Sequence, residues 1–172
     1  ARTLDVPIAL VSLVDSDRQW FKACVGLAVS QTPRSVAFCS HAIERDELLV
    51  VPDALADSRF AANPLVLGAP HIRSYAGAPL RVPGGHRIGT LCAIDRRPRE
   101  HTPEELATLR DLAAVVVDLL EKRVAVRNQD MLTSVGATSP NVGYLYDLVE
   151  SRAVWTSENA ARVLGYDVLD NP

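Results

Sequence analysis

The chain has 172 residues, of which 48% are hydrophobic, so it is long enough to bury one good core and part of a second. A formal net charge of -3 and a pI near 5.8 exclude the basic excess that is typical of proteins that bind duplex nucleic acid. The apolar stretch 112–120 is far shorter than the ~20 residues of a membrane span, and Asp118 interrupts it. No signal-like segment opens the sequence. We therefore expect a cytoplasmic protein with no membrane segment and no nucleic-acid partner.

The three cysteines, Cys24, Cys39 and Cys92, are an odd number and form no Cys-x-x-Cys pair. All three lie in apolar surroundings, where a free cysteine behaves as a small buried hydrophobic residue. This pattern predicts buried reduced thiols and argues against a disulfide framework or a zinc site. We expect no metal site.

The first half of the chain has the composition of short strands separated by turns. Residues 6–14 are a β-branched and apolar run that ends at the turn-forming residues 15–17, and residues 18–25 are predicted to be its antiparallel partner. The elements that follow are expected to be a loop (26–33), a short helix (38–43), a strand (48–52) ended by Pro52, a helical turn from Asp57 and an irregular loop (63–70).

A second hairpin is predicted from residues 71–80 and 87–94, which are both mostly apolar. The run Val82-Pro83-Gly84-Gly85 between them must reverse the chain, because proline has no amide hydrogen to donate to a strand ladder. The sequence IRSYAGAPLRVPGGHRIGTLCAID resembles the last hairpin of GAF domains, the small-molecule sensor modules of bacterial signalling proteins. The resemblance covers residues 1–122 and implies an α+β fold, with a central antiparallel sheet flanked by helices.

A long helix is predicted to begin at Pro103. Thr102 provides an N-cap hydroxyl and Glu105 follows at the capping-box spacing. One apolar stripe comprises Leu106, Leu109, Ala113, Val116 and Leu120. A second stripe comprises Leu112, Val115, Leu119 and Val126. We expect the first stripe to pack on the sheet and the second to form a homodimer interface, the alternative being a helix buried between the sheet and a terminal helix.

The end of the chain reads as the start of another unit. Residues 123–141 are predicted to be a helix end and a linker, because residues 128–141 are polar and contain Gly and Pro. Residues 142–172 predict two strands and a short helix capped by Ser157. Together with Leu164-Gly165-Tyr166, this pattern resembles the opening of a PAS domain. Such tandem modules normally precede a histidine kinase or a diguanylate cyclase, so the resemblance implies the input region of a larger signalling protein.

None of the common hydrolase, metalloprotease or nucleotide-binding motifs occurs in the sequence. We therefore expect an input region that is no enzyme, with any catalytic output domain outside this chain. The nearest candidate is Cys39-Ser40-His41, whose first and last side chains point ~200° apart on a helix and would not share a metal. The candidate ligand-binding residues are Cys39, His41, Asp53, Arg73, Tyr75 and Asp95. For Asp53 and Asp95, which follow strands, the alternative is that each caps a turn.

The signatures that are absent sharpen the resemblance. The chain lacks the Asn-Lys…Phe-Asp-Glu signature of GAF domains that bind cyclic nucleotides. It also lacks the adjacent cysteine and histidine of those that attach a bilin, so the cofactor is unknown. The predicted function is that of a sensor and dimerisation module that binds an unknown small ligand or relays a signal through its C-terminal helix. The alternatives are a thiol-dependent reductase of free methionine sulfoxide, as in GAF members that use three cysteines, and a purely structural dimerisation module.

Overall fold

The computed structural model describes residues 1–138, 144–147 and 152–156. Residues 1–119 and 120–172 form two separate units. The first unit contains a six-stranded antiparallel sheet in the order β3-β2-β1-β6-β5-β4. Its strands are β1 (Ile8–Val14), β2 (Arg18–Val25), β3 (Gln31–Pro33), β4 (Leu49–Val51), β5 (Ser74–Arg81) and β6 (Arg87–Asp95). The helices are α1 (Phe38–Ala42), α2 (Pro64–Leu67) and α3 (Pro103–Thr138). The predicted α+β arrangement of a central antiparallel sheet with helices is confirmed.

Both predicted hairpins are present. In the second, the backbone N–H of Gly85 donates to the carbonyl of Val82 at 3.0 Å, and Gly84 has a φ of 91°, a conformation that only glycine adopts without strain. The two hairpins join edge to edge through β1 and β6, which places Leu10 opposite Cys92 and Ser12 opposite Thr90. The centre of the sheet is therefore built from residues about 80 positions apart in the chain.

Successive side chains of a strand point to opposite faces, so the sheet has two different faces. We call the first the cavity face; its buried residues include Ile8, Leu10, Phe21, Tyr75, Cys92 and Ile94, which cluster with Phe38 of α1 and Val66 of α2. We call the second the helix face; its buried residues include Ala76, Ala78, Leu80 and Ala93. The buried residues Leu109, Ala113 and Val117 of α3 belong to this second side, where Ala78, Ala113 and Val117 line one groove.

Helix α3 begins where the sequence predicts. The backbone N–H of Glu105 donates to Thr102 Oγ1 at 3.2 Å, and the backbone N–H of Thr102 donates to Glu105 Oε2 at 3.0 Å, which completes a capping box. The helix continues to Thr138, so residues 123–138, predicted to be a helix end and a linker, are the end of α3. The polar residues of this segment, such as Gln129, are compatible with a helix. Within the described parts of the chain, no helix has the length and apolarity that a membrane crossing requires.

Two short elements lie where the sequence predicts loops. The predicted loop 26–33 contains β3, whose three residues pair with the start of β2 at the edge of the sheet. The predicted loop 63–70 contains α2, which is capped by Asn63: its Oδ1 accepts the backbone N–H of Leu65 at 2.8 Å. Both elements are too short to show a periodic pattern, and tertiary contacts decide them.

The second unit contains a two-stranded antiparallel hairpin, formed by β7 (Tyr144–Asp147) and β8 (Arg152–Thr156). The two strands predicted in this region are thus present. The predicted helix after Ser157 and the Leu164-Gly165-Tyr166 segment lie outside the described residues. The resemblance of this unit to a PAS domain stays a prediction.

Candidate functional site

A cavity of ≈ 290 Å³ lies on the cavity face of the sheet. Its floor is formed by sheet residues such as Leu10, Phe21 and Ile94, and Phe38 and Leu65 contribute from the two short helices. The remaining lining residues are Gln19, Leu27, Ala28, Val29, Gln31, Thr32, Pro33, Ala37, Cys39, Ala69, Pro70, Ile72 and Tyr75. Most of these side chains are apolar, as is usual for a pocket that holds a small molecule.

The opening of the cavity lies between two loops. Ala28 and Val29, which follow β2, are exposed although they line the cavity, and so is Ala69, which precedes β5. Val29 is 53% exposed. These residues leave a route from solvent to the buried floor.

Tyr75 and Cys39 meet at the wall of the cavity. Tyr75 is fully buried, and its hydroxyl donates to Cys39 Sγ at 3.4 Å. The Tyr75 ring lies along β5 over Gly77, where an added Cβ would come within 2.2 Å of the Tyr75 hydroxyl oxygen. Glycine at position 77 therefore makes room for the ring that reaches Cys39.

Burial and hydrogen bonding shift the pKa values of Cys39, Cys92 and Tyr75. Burial raises the pKa of Tyr75 well above its usual value, which keeps the phenol protonated as a donor. Burial also raises the pKa of Cys39, but hydrogen bonds from Cys92, Ser12, Thr90 and Tyr75 outweigh it and lower the pKa to about 6. The hydrogen bond to Cys39, together with burial, raises the pKa of Cys92 well above its usual value.

The three cysteines are free, but they differ in burial. Cys39 and Cys92 are buried as expected, but Cys24 is only half-buried and donates to the carbonyl of Leu27 at 3.5 Å. It lies on the outer half of β2, where the strand leaves the core. The three thiols therefore have different environments.

The other predicted ligand-binding residues do not line this cavity. Asp53 accepts two hydrogen bonds from the Arg73 guanidinium, at 2.9 and 2.8 Å, and one from the backbone N–H of Leu55. This partnership lowers the pKa of Asp53, mainly through the hydrogen bonds from Arg73. The side chain of Asp95 accepts the backbone N–H of Arg97 at 3.2 Å, so both aspartates cap turns.

His41 is also directed away from the cavity. Its side chain is 43% exposed, with Nδ1 at 4.0 Å from Glu44 Oε1 and the ring edge-on to Phe60. Of the six candidates, only Cys39 and Tyr75 line the cavity, whereas Asp53 and Arg73 pair with each other outside it. A residue that directly follows a strand is expected to lie near the edge of the sheet. Its place in the sequence does not show whether the following loop turns toward the cavity or away from it.

Two polar residues at the cavity wall were not among the candidates. Gln19 is 4% exposed, and its Oε1 is buried without a hydrogen-bond partner in the protein; the same holds for Thr32 Oγ1. The two residues are opposite each other in the β2–β3 ladder. Gln19 and Phe21 are both buried in a strand whose other residues are mostly exposed, and this alternation is the signal that could have identified Gln19.

The two apolar stripes of α3 differ in exposure as the sequence predicts. Leu109 and Ala113 of the first stripe are buried, and the other three are half-buried. The residues of the second stripe, which we call the exposed stripe, are Leu112, Val115, Leu119 and Val126, with exposures of 41%, 52%, 61% and 58%. A dimer through this stripe stays a prediction.

The family model of the GAF domain matches residues 1–118 of the chain. The chain belongs to the GAF domain family. The GAF domain implied by the last hairpin is thus confirmed, and the cavity lies in the matched region. A PAS-like continuation, a histidine kinase output and a diguanylate cyclase output are not part of this finding.

A curated relative corrects the expectation that this protein is no enzyme. A cyclic di-GMP phosphodiesterase of Pseudomonas aeruginosa is 48% identical over 112 residues, which are 64% of this chain and 19% of the relative. A sequence with this similarity thus occurs within an enzyme. The expectation relied on the absence of catalytic motifs, which says nothing about the longer protein in which a regulatory domain occurs. The chain spans about a fifth of the length of that relative.

Solved structures agree on the fold. A domain of a two-component sensor histidine kinase from Sinorhizobium meliloti has a TM-score of 0.59 at 19% identity, covering 75% of this chain and 88% of its own. A free methionine-R-sulfoxide reductase from Neisseria meningitidis has a TM-score of 0.57 at 24% identity, covering 70% of each chain. At such identities the likeness shows the fold alone.

Proposed function

We propose that this GAF domain is a sensor that regulates a cyclic di-GMP phosphodiesterase, and that a ligand in the cavity acts through α3 of a homodimer. The observation that carries the proposal is the cavity of ≈ 290 Å³, which has apolar walls, a route to solvent and two buried polar atoms without partners. A purely structural dimerisation module would have this space filled by its own side chains. The phosphodiesterase output is supported by the Pseudomonas relative.

The sheet offers a direct route from the cavity to α3. Tyr75 on the cavity face is followed by Ala76 on the helix face, and Ala93 on the helix face is followed by Ile94 on the cavity face. Ala76 and Ala93 are themselves partners in the β5–β6 ladder. A ligand that displaces Tyr75 or Ile94 would therefore move the two alanines that lie on the side of α3, because packed interiors transmit small shifts.

A second copy of this chain is the proposed partner of the exposed stripe. Leu112, Leu119 and Val126 recur every seven residues, which is the repeat of helices that pair in a coiled coil. A helix whose apolar stripe is exposed to water gains stability when that stripe packs against a second helix. A change in the packing of α3 on the sheet would then alter how the two helices meet.

The dimer is tested by a charge substitution in the exposed stripe. The double variant Leu112→Glu/Leu119→Glu should be monomeric, whereas the wild type should be dimeric, as measured by light scattering after size-exclusion chromatography. Leu67→Glu is the matched control, since Leu67 is also 61% exposed but lies on α2. An unchanged mass of the double variant would refute the proposed interface.

The sensor role is tested by native mass spectrometry of the freshly purified chain, compared with its denatured mass. A non-covalent mass that is lost on denaturation would support a loaded sensor. A ligand that binds the folded state also raises the melting temperature. A clean native mass, with no thermal shift from any small molecule, would contradict the sensor role and leave the dimerisation role.

A further inference from the structure

Gln19 and Thr32 form a polar patch of the cavity wall, and we call these two residues the polar pair. The two residues are opposite each other on β2 and β3 and therefore lie on the same face of the sheet. Gln19 Oε1 and Thr32 Oγ1 are buried without a partner in the protein, and Gln19 is 4% exposed. Buried polar atoms in native proteins nearly always have a hydrogen-bond partner, so a group inside the cavity is the expected partner here.

The charge of the cavity wall limits the class of ligand that can bind there. Among the described residues that line the cavity, none is a lysine, an arginine or a histidine, so the wall offers no cation. A phosphate or carboxylate in such a site would lose its hydration and gain no cation, which is strongly unfavourable. Cyclic nucleotides and dinucleotides therefore do not fit the site, and a neutral molecule does.

The volume and the rings of the wall limit its size and shape. A cavity of about 150 Å³ with apolar walls is enough to bind benzene, and this cavity, at ≈ 290 Å³, is larger. Phe21, Phe38 and Tyr75 contribute aromatic rings to its wall, and rings of this kind pack well on flat apolar molecules.

We propose that the cavity binds an uncharged, mainly apolar molecule of about ten non-hydrogen atoms, whose single hydroxyl or N–H group hydrogen-bonds to the polar pair. This proposal rests on the proposed sensor function and adds the chemical class of the ligand. The polar pair sets the orientation, and the apolar wall supplies most of the binding free energy.

Indole and indene form the test, because they have nearly the same shape and only indole has an N–H donor. Wild type should bind indole about tenfold more tightly than indene, which is the usual effect of a buried hydrogen bond. In the double variant Gln19→Leu/Thr32→Val the two affinities should be equal. Thr90→Val is the matched control: Thr90 is buried but its hydroxyl is paired with Ser12 at 3.1 Å, so the ratio should stay at the wild-type value. The affinities are measured by isothermal titration calorimetry.

A second measurement needs no ligand. Because Thr32→Val removes a hydroxyl without a partner, it should leave the melting temperature of the unliganded chain unchanged or raise it, whereas Thr90→Val should lower it. A drop for both variants would overturn the role of the polar pair.

Failure of the ligand class differs from failure of the sensor role. Equal affinities of wild type for indole and indene, or a preference for cyclic GMP over both, would overturn the ligand class while the cavity remained a binding site. Absence of binding by all three probes, together with a clean native mass, would overturn both proposals and would indicate that water fills the cavity.

Discussion

The helix face and the cavity face of the sheet differ in the size of their buried side chains and in how completely these fill the space, although both are formed by the same strands. The helix face presents small buried residues, such as Ala76, Ala78 and Ala93, on the side of α3. The cavity face presents large rings, such as Phe21 and Tyr75, and still leaves ≈ 290 Å³ unfilled. The buried contacts of the helix face can transmit a displacement, whereas the larger unfilled volume of the cavity face offers a place for a ligand.

The unfilled volume also affects the stability of the fold. Side chains that border an empty volume lack part of their van der Waals contacts, so the cavity face contributes less stability than its apolar area suggests. A ligand that fills the volume would restore those contacts. Substitutions on each face test whether the two faces differ in this way.

The largest effect is expected from Leu109, which is 2% exposed on α3. Leu109→Ala should lower the free energy of unfolding by about 2–5 kcal/mol, because it leaves a new cavity where a fully buried side chain was packed. Leu10→Ala on the cavity face, equally buried at 2% exposure, should cost less, since one side of Leu10 already borders empty space. Urea denaturation of both variants measures the difference, and equal losses would contradict the distinction between the faces.

Gly77→Ala should disturb the cavity face by displacing Tyr75. The added methyl group would meet the Tyr75 hydroxyl and ring, and such overpacking costs about 1–3 kcal/mol. Tyr75→Phe removes the nearest of the clashing atoms, so the Gly77→Ala substitution should cost less in a Tyr75→Phe background. A double-mutant cycle by urea denaturation measures this coupling; strictly additive effects would show that the ring does not depend on Gly77.

A smaller effect is expected at the start of α3, which anchors the helix face. Thr102→Ala removes the N-cap hydroxyl and should cost about 1 kcal/mol in thermal or urea denaturation. Thr108→Ala is the control, because Thr108 lies inside the helix and alanine has the higher helix propensity. The control should be neutral or stabilising, and a similar loss in both variants would argue against the capping box.

The smallest effect concerns pH and the Asp53–Arg73 pair at the edge of the cavity face. Arg73 lowers the pKa of Asp53, so the pair stabilises the folded state above the unfolded pKa of about 4 and loses this effect as the pH falls through the lowered value. Arg73→Gln should therefore be less stable than wild type at neutral pH, with the difference shrinking below about pH 4. Urea midpoints across this range provide the measurement. A difference independent of pH would indicate lost packing of the Arg73 side chain.

Local patterns explain the elements that could be predicted. Both hairpins follow from apolar runs around turn residues, and the start of α3 follows from Thr102 and Glu105, because these signals lie within a few residues of one another. The edge strand β3 and helix α2 have three and four residues, and they depend on contacts with β2 and with the backbone carbonyl of Val36, to which Asn63 donates.

The family, the antiparallel hairpins and the two stripes of α3 could be predicted from the sequence, because each depends on residue spacing within one segment. The composition of the site depends on the tertiary structure. The tertiary structure placed Gln19 and Thr32 at the wall with Cys39 and Tyr75, and it paired Asp53 with Arg73 outside the cavity. The physical reason is that a cavity is bounded by side chains from distant segments, whose directions depend on how the loops turn after each strand.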